Sequence, residues 1–265
     1  MNLRKQHLLI MLALLLLNLG CESTEFEPDT SPYLSSKIDA NGSSKYTNSY
    51  FYNDDNQRIE RTSQTVNYET GLTSEVAHFF YNYDDNGKII GISYPSGDST
   101  QYSYNNGLIS KSSLLNDQGE IIDETFYTYN SEGLLITKST PSNDKTSYEE
   151  LRYVYEGSDV VEIETYVYRY SAGSYREYLF STTYLEYDQM NNPMQNGLPD
   201  EYNKIFIGVS NYNVLNDHNV ISETLEQPSG RSFIVTYSYL YNDESYPISR
   251  ISSRGDSSRY TYIDL

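Results

Sequence analysis

The chain of 265 residues has no tryptophan, one cysteine and 18 basic residues against 37 acidic ones. A single cysteine excludes a disulfide scaffold, because it cannot pair within the chain. A net charge of -19 argues against a nucleic-acid binder, whose affinity comes largely from Lys and Arg neutralising phosphates. A mean hydropathy of -0.64, with a long apolar run only at the start, excludes a multi-pass membrane protein. What is abundant is tyrosine, with 30 residues.

The first 21 residues indicate export and lipid anchoring. A basic start with Arg4 and Lys5 precedes the apolar run Leu8–Leu17, which is too short to span a bilayer and is typical of a secretory signal. After Asn18, Leu19 and the small Gly20 comes Cys21, which resembles the lipobox cysteine of bacterial lipoproteins, although Asn18 stands where that family prefers Leu. We therefore predict a signal peptide over residues 1–20 and a Cys21 that is acylated and held in a lipid bilayer. The alternative is an ordinary signal peptide followed by an incidental cysteine.

Residues 21–45 are predicted to be an acidic, flexible tether. Glutamate and aspartate recur directly after the cysteine, together with Pro28 and Pro32. These acids resemble the surface-export tags of Bacteroidetes lipoproteins. A plain solvated linker is the alternative.

The rest of the chain has the pattern of β-strands. Alanine occurs only three times after residue 20, and no stretch has apolar residues at helical spacing over three turns. Alternation with period two is common instead, as in the segment 161–170, where one predicted face carries Val161, Ile163, Thr165 and Val167. Such alternation of β-branched and aromatic residues is typical of strands.

A repeated turn signal ends many of these strands. It consists of an aromatic residue, any residue, Tyr, then Asn, Asp or Glu, a small polar turn, and an aliphatic residue that opens the next strand. Asn, Asp and Gly tolerate the positive φ of tight hairpin turns, so each copy predicts a hairpin. The second Tyr of the copies falls at residues 52, 83, 104, 129 and 155, with weaker copies around Tyr187 and Tyr241.

This pattern resembles the YD-repeat proteins of the RHS type, and more closely a group of Bacteroidetes lipoproteins built from such Tyr-Asx-Gly hairpins. The resemblance covers roughly residues 46–263 and implies an all-β domain over residues 46–265. The implied fold is an antiparallel meander of hairpins that forms one long curved sheet or an open, porin-like half-barrel. Strict Tyr-Asp pairs are fewer than in the large RHS shells, so encapsulation of a toxin is not implied.

Residues 189–219 interrupt the repeat with prolines, asparagines and the apolar segment Ile205–Val209. We predict a long loop that folds over one end of the sheet and inserts its apolar segment as a plug. A loop of this length is often functional. A binding loop is therefore the alternative.

The sequence shows no strong catalytic or metal-binding motif. After export only His78 and His218 remain, and neither has a His or Cys neighbour at metal-ligand spacing. The loop from Asn82 to Ile89 follows the first positions of a calcium loop, but the twelfth position is Ser93 where a Glu is needed. A hairpin is the favoured interpretation of that loop. We predict no catalytic residue, no metal and no cofactor.

The predicted function is a non-enzymatic binding module of the bacterial outer membrane, on its periplasmic or surface side, that recognises a glycan or an envelope protein through exposed tyrosines. The binding residues are not predicted, and no nucleic-acid partner is expected. One alternative is a structural subunit of an envelope complex. A remote alternative is a glycoside hydrolase with two carboxylates. The visible acidic clusters are Glu149 and Glu150, Glu162 and Glu164, and Glu223 and Glu226.

Overall fold

The computed structural model describes residues 32–142, 146–194, 196–205 and 216–265. They form sixteen antiparallel strands, β1 to β16, and one short helix, α1 at Asp200–Asn203. The predicted signal peptide and Cys21 lie outside the described residues. The strands are β1 Tyr33–Ala40, β2 Ser44–Tyr52, β3 Arg58–Asn67, β4 Ala77–Tyr83, β5 Ile89–Ser93, β6 Ser99–Asn105, β7 Leu108–Leu115, β8 Ile121–Tyr129, β9 Leu135–Pro141, β10 Ser147–Glu156, β11 Asp159–Ser171, β12 Ser174–Asn191, β13 His218–Glu226, β14 Ser232–Tyr241, β15 Pro247–Ser252 and β16 Ser257–Ile263.

The strands form a closed barrel in which every strand pairs with its neighbours in the chain. The predicted all-β antiparallel meander is confirmed, but the sheet closes instead of ending as a half-barrel. Closure comes from β1, which pairs with β16 from Tyr33 opposite Ile263 to Ala40 opposite Ser257.

β1 corrects the predicted boundary of the domain. It lies inside residues 21–45, which were assigned to a flexible tether, so the barrel begins at Tyr33 and not at residue 46. β1 lacks the Tyr-x-Tyr-Asx signal, and its middle, from Ser35 to Asp39, is mostly polar. Sequence patterning missed it for these reasons. Its backbone groups are nevertheless paired on both edges, with β16 and with β2.

The repeated turn signal has a structural explanation. In most of these hairpins the second Tyr lies directly opposite an aliphatic residue after the turn, as Tyr83 does with Ile89. The register then shifts by one, because Asn82 pairs with Gly91 and leaves Ile90 unmatched as a β-bulge. The aliphatic residue is thereby turned into the barrel, and Ile89 is fully buried. The bulge residue Ile90 is exposed on the outside.

The Asx residue of the signal holds the turn itself. Asp84 Oδ1 accepts the amide hydrogens of Asn86 and Lys88, both at 2.9 Å. These bonds lower the pKa of the Asp84 carboxyl, with the Lys88 amide as the largest cause. Gly87 follows with a φ of +78°, which favours glycine. These hydrogen bonds are those of a hairpin turn, the interpretation that the sequence favoured over a calcium loop.

Tyrosine hydroxyls join most hairpins to the one before. Tyr83 Oη donates to the backbone oxygen of Arg58 at 2.8 Å, and Tyr129 Oη donates to that of Ile109 at 2.6 Å. The same type of bond joins neighbouring hairpins around the barrel, and each satisfies a buried carbonyl that the bulge removes from the β-ladder. The donor and acceptor pairs are Tyr52 and Leu34, Tyr83 and Arg58, Tyr104 and Ile89, Tyr129 and Ile109, Tyr187 and Val160, Tyr239 and Val220, and Tyr262 and Pro247.

The insertion between β12 and β13 enters the barrel at the same end. It spans residues 192–217, slightly less than predicted, and its described part contains α1. Tyr202 of α1 is almost fully buried and meets the rings of Tyr81 and Tyr102 edge-on, with ring centroids 6.3 Å and 5.6 Å away. Ile205 is also part of the core, so the described part behaves as the predicted plug. Residues 206–209 of the predicted apolar segment lie outside the described residues.

Arg58 anchors the plug. It occupies the inward position that carries an aliphatic residue in most other hairpins, and it is buried. Its backbone N–H donates to the carbonyl oxygen of Gly197 at 2.7 Å, and its Nη2 donates to the carbonyl oxygen of Asn196 at 2.8 Å. The guanidinium also lies over the ring of Tyr50 at 4.7 Å. We call this end of the barrel, with turns 53–57, 84–88 and 130–134, the plugged rim, and the opposite end, with turns 41–43, 116–120 and 172–173, the open rim.

Candidate functional site

The open rim carries the most irregular part of the barrel wall. β11 and β12 are the longest strands, with 13 and 18 residues, and their hairpin extends past its neighbours. β12 pairs with β11 from Ser174 onward, but its pairing with β13 starts only at Thr182. Within the described residues, the second edge of β12 therefore has no ladder partner over residues 174–181.

A gap opens in the wall between β8 and β9. β8 pairs with β7 from Ile121 onward, whereas its pairing with β9 starts only at Phe126. The hydroxyls of Thr125 and Thr140, 3.1 Å apart, join the two strands at the base of the gap. β9 ends at Pro141, which has no amide hydrogen to donate to a ladder. We call this gap the seam.

Two cavities of about 710 Å³ each meet at the seam. One lies on the inner side of the wall and the other on the outer side, and both volumes are typical of small-molecule sites. Both are lined by Ile122, Asp123, Pro141, Ser142 and Tyr148. The inner cavity adds Lys138 and Glu149 among others, and the outer cavity adds Ile121, Glu124, Phe126 and Tyr175.

The inner cavity is charged. Burial lowers the pKa of the Lys138 ammonium, while the carboxylates of Glu149 and then Asp123 act in the opposite direction. These three residues come from β9, β10 and β8, so the fold brings together side chains that are apart in the sequence. They provide donors and acceptors for a polar ligand.

The outer cavity is aromatic. Tyr148 stacks on Tyr168 with ring centroids 4.1 Å apart and planes 8° from parallel. Tyr175 meets Tyr148 edge-on at 5.3 Å and is 44% exposed. Arg152 lies beside this cluster. Its Nε donates to Glu150 at 2.8 Å, and its guanidinium lies over the ring of Tyr166 at 4.0 Å. These contacts hold the rings in place before any ligand arrives.

The residues singled out from the sequence lie elsewhere or have partners. His78 Nδ1 contacts Glu60 Oε1 at 2.6 Å on the outer wall, and His218 Nδ1 contacts Asp159 Oδ2 at 2.7 Å near the plugged rim. Among the described residues, no group of three or more His, Cys, Asp or Glu could hold a metal ion.

The acidic clusters have separate environments. Glu149 lines the inner cavity and Glu150 binds Arg152. Glu223 accepts a hydrogen bond from the Tyr237 hydroxyl at 3.2 Å, beside another inner cavity of about 360 Å³. Sequence reasoning missed Asp123 and Lys138. Only strand register shows that both point inward, so no local signal could have identified them.

No helix in the described part of the chain is long and apolar enough to cross a membrane. No protein-family model and no curated protein sequence matches the chain.

Among solved structures, the chain is similar to a porin-like protein from Bacteroides uniformis ATCC 8492. The TM-score is 0.58 at 13% identity, over 87% of this chain and 98% of that chain. A porin-like protein from Bacteroides vulgatus ATCC 8482 gives 0.39 at 12% identity, over 89% and 100%. The TcdB2-TccC3-Cdc42 structure gives 0.23 at 14% identity, over 75% of this chain and 12% of that chain. The first similarity shows a shared porin-like barrel fold.

Proposed function

We propose that this protein is a non-enzymatic glycan-binding barrel, held at the bacterial outer membrane by an acylated Cys21. The observation that carries the glycan part is the seam, where an aromatic cavity and a charged cavity share one wall. Sugar rings present both an apolar face and many hydroxyls. Exposed tyrosines can stack on the first, and Asp123, Lys138 and Glu149 can hydrogen-bond the second.

The outer wall supports anchoring through a lipid. A barrel that faces lipid carries an apolar outer band, and a Lys or Arg at its middle costs about 2–4 kcal/mol. Here Lys111 and Glu124 form an ion pair at 2.8 Å on the outer wall, and Arg152 and Glu150 form another at 2.8 Å. Such a wall fits water, so membrane attachment would come from the lipid on Cys21. The porin-like structure from Bacteroides uniformis supports an envelope location.

The test is a glycan array followed by titration of the purified protein with each glycan that binds. Tyr175→Ala is expected to weaken binding about twofold to tenfold, the equivalent of one aromatic contact of about 0.5–1.5 kcal/mol. Tyr184→Ala is the matched control, because Tyr184 lies on the same strand, is 40% exposed and is absent from both cavities.

A blank array with folded protein, or equal losses in the two variants, would reject the seam as a glycan site. Release of new reducing ends from a bound glycan would replace the non-enzymatic part of the proposal with hydrolysis. In that case Asp123 and Glu149 would be the first carboxylates to substitute.

A second candidate is an assembly role, and one observation favours it. The free edge of β12 carries Leu179 and Phe180, and Phe180 is 58% exposed. An open edge of this kind can accept a strand from another protein. A photo-cross-linking residue at Phe180 is expected to capture one envelope protein in whole cells, whereas the same residue at Phe80, on β4 and 46% exposed, should not. Equal capture at both positions would remove this candidate.

A further inference from the structure

Two arginines face each other on the projecting hairpin. Arg169 of β11 lies directly opposite Arg176 of β12, and both are exposed. Within the described residues neither guanidinium has an ion pair or a hydrogen bond. Like charges at directly opposed positions destabilise a sheet. In a chain with twice as many acids as bases, this pair is an uncompensated positive site.

The pair lies at the mouth of the inner cavity. Arg169 is opposite Ser147, and Val167 is opposite Glu149. Because side chains of a strand alternate between faces, Arg169 shares its face with Val167. Ser147, Glu149 and Val167 all line the inner cavity. The arginines therefore stand one step above that cavity, toward the open end.

Acidic side chains near the two arginines limit where an anion can bind. Glu177 lies on the opposite face, where its carboxylate contacts Arg152 at 3.2 Å and accepts the Tyr168 hydroxyl at 2.7 Å. It is therefore engaged elsewhere. On the inner face, Glu149 and Asp123 lie deeper in the cavity and would repel an anion that entered it. An anionic group is consequently favoured at the mouth and not inside.

We propose that Arg169 and Arg176 bind the carboxylate or sulfate group of an acidic glycan, and so select the class of ligand that the seam takes. This inference rests on the proposed glycan function. Each guanidinium can offer two parallel N–H donors to a carboxylate or sulfate, a geometry that gives strong charge-assisted bonds. The anion would also remove the repulsion between the two arginines. Neutral sugar units of the same chain would then extend toward the seam.

The test compares a sulfated oligosaccharide, a heparin fragment, with its chemically desulfated form, using the full mature protein. Binding of the sulfated form is expected to be stronger, and Arg169→Gln with Arg176→Gln should weaken it about tenfold for each arginine removed. The desulfated form should bind both proteins equally. Arg259→Gln is the control for each single substitution, because Arg259 is exposed on β16 and its loss removes one positive charge, as each of them does.

A second measurement tests the repulsion without any glycan. Arg176→Gln is expected to raise the Tm in low-salt buffer free of sulfate, and added sulfate should raise the Tm of the wild type but not of the double variant. Equal binding of the sulfated and desulfated forms, or an effect of Arg259→Gln as large as that of the double variant, would overturn the proposal. If Tyr175→Ala still weakens neutral glycans in that case, the glycan function stands and only the acidic class fails.

Discussion

The two rims of the barrel are built from the same hairpins but in opposite ways. At the plugged rim most hairpins repeat one arrangement, in which a bulge turns an aliphatic residue inward and a tyrosine hydroxyl donates to a carbonyl of the hairpin before it. The plug then fills the space that remains, with Tyr202 in its centre. At the open rim the turns differ, strands separate at the seam, and one hairpin projects.

The difference separates an end that stabilises the barrel, the plugged rim, from an end that exposes candidate binding residues, the open rim. Repetition at the plugged rim buries polar backbone groups together with their partners, which stabilises that end. The open rim leaves Tyr175 and Phe180 exposed and places Arg169 against Arg176. Departures from locally favourable structure are expected at functional sites, and the opposed arginines are one such departure.

The largest expected effect is alkaline unfolding that starts at the plugged rim. Burial raises the pKa of Tyr127 to about 12, and it also raises the pKa of Tyr83, Tyr104 and Tyr129. The unfolded chain releases these protons near pH 10. The resulting stability is complete below pH 10 and is lost as the pH rises through about 12. The part of the rise in absorbance at 295 nm that comes from buried tyrosines should therefore coincide with the loss of the native far-ultraviolet circular dichroism spectrum, above pH 10. Complete tyrosinate absorbance while the spectrum stays native would contradict this.

The second-largest expected effect is the loss of the Tyr202 side chain from the plug. Tyr202→Ala is expected to lower the free energy of unfolding by about 3 to 5 kcal/mol, because it leaves a cavity in the packed end. Urea unfolding measures the change. Tyr184→Ala, on the outer wall, should change stability by less than about 0.5 kcal/mol. Similar losses in the two variants would show that the plug does not stabilise the barrel.

A single ring hydroxyl should matter less. Tyr104→Phe removes the bond to the Ile89 carbonyl and is expected to cost about 1 kcal/mol. Tyr178→Phe at the open rim is the control, since Tyr178 is half exposed and should tolerate the change. Urea unfolding of both variants compares the rims directly. An equal effect would remove the distinction between them.

The smallest expected effect is an increase in stability. Ala172 at the tip of the projecting hairpin has a φ of +52°, a conformation that alanine rarely adopts. Asn is favoured at this position of a two-residue hairpin turn before Gly. Ala172→Asn is therefore expected to stabilise the protein by about 0.5 kcal/mol and to raise the Tm by about 1–2 °C. A lower Tm would show that the tip is not strained.

Sequence patterning predicted the hairpins because their turn chemistry is local. It was less accurate where register matters. The predicted face of β11 with Val161, Ile163, Thr165 and Val167 is confirmed from Ile163 onward, but the bulge leaves Val161 unmatched and turns Val160 inward. A shift of one residue exchanges the two faces of a strand, and the bulge is not visible in the alternation itself.

The candidate site was less predictable than the fold. Tyrosine content indicated a recognition surface, but the seam exists because two ladders stop at different residues. The opposition of Arg169 and Arg176 likewise depends on the register of the β11–β12 hairpin, which the sequence alone does not show. Lipidation of Cys21 stays a prediction, since that residue lies outside the described part of the chain.

The pairing of β1 with β16 has a consequence for how the molecule forms. All other strand pairs join neighbours in the chain, and such local contacts form early and fast. This one pair joins the first described strand to the last, so the ring can close only after β16 has been made. Until then the partly folded chain has two free strand edges, which are sites for aggregation. Formation of the barrel therefore ends with a single long-range contact, and closure of the whole ring depends on it.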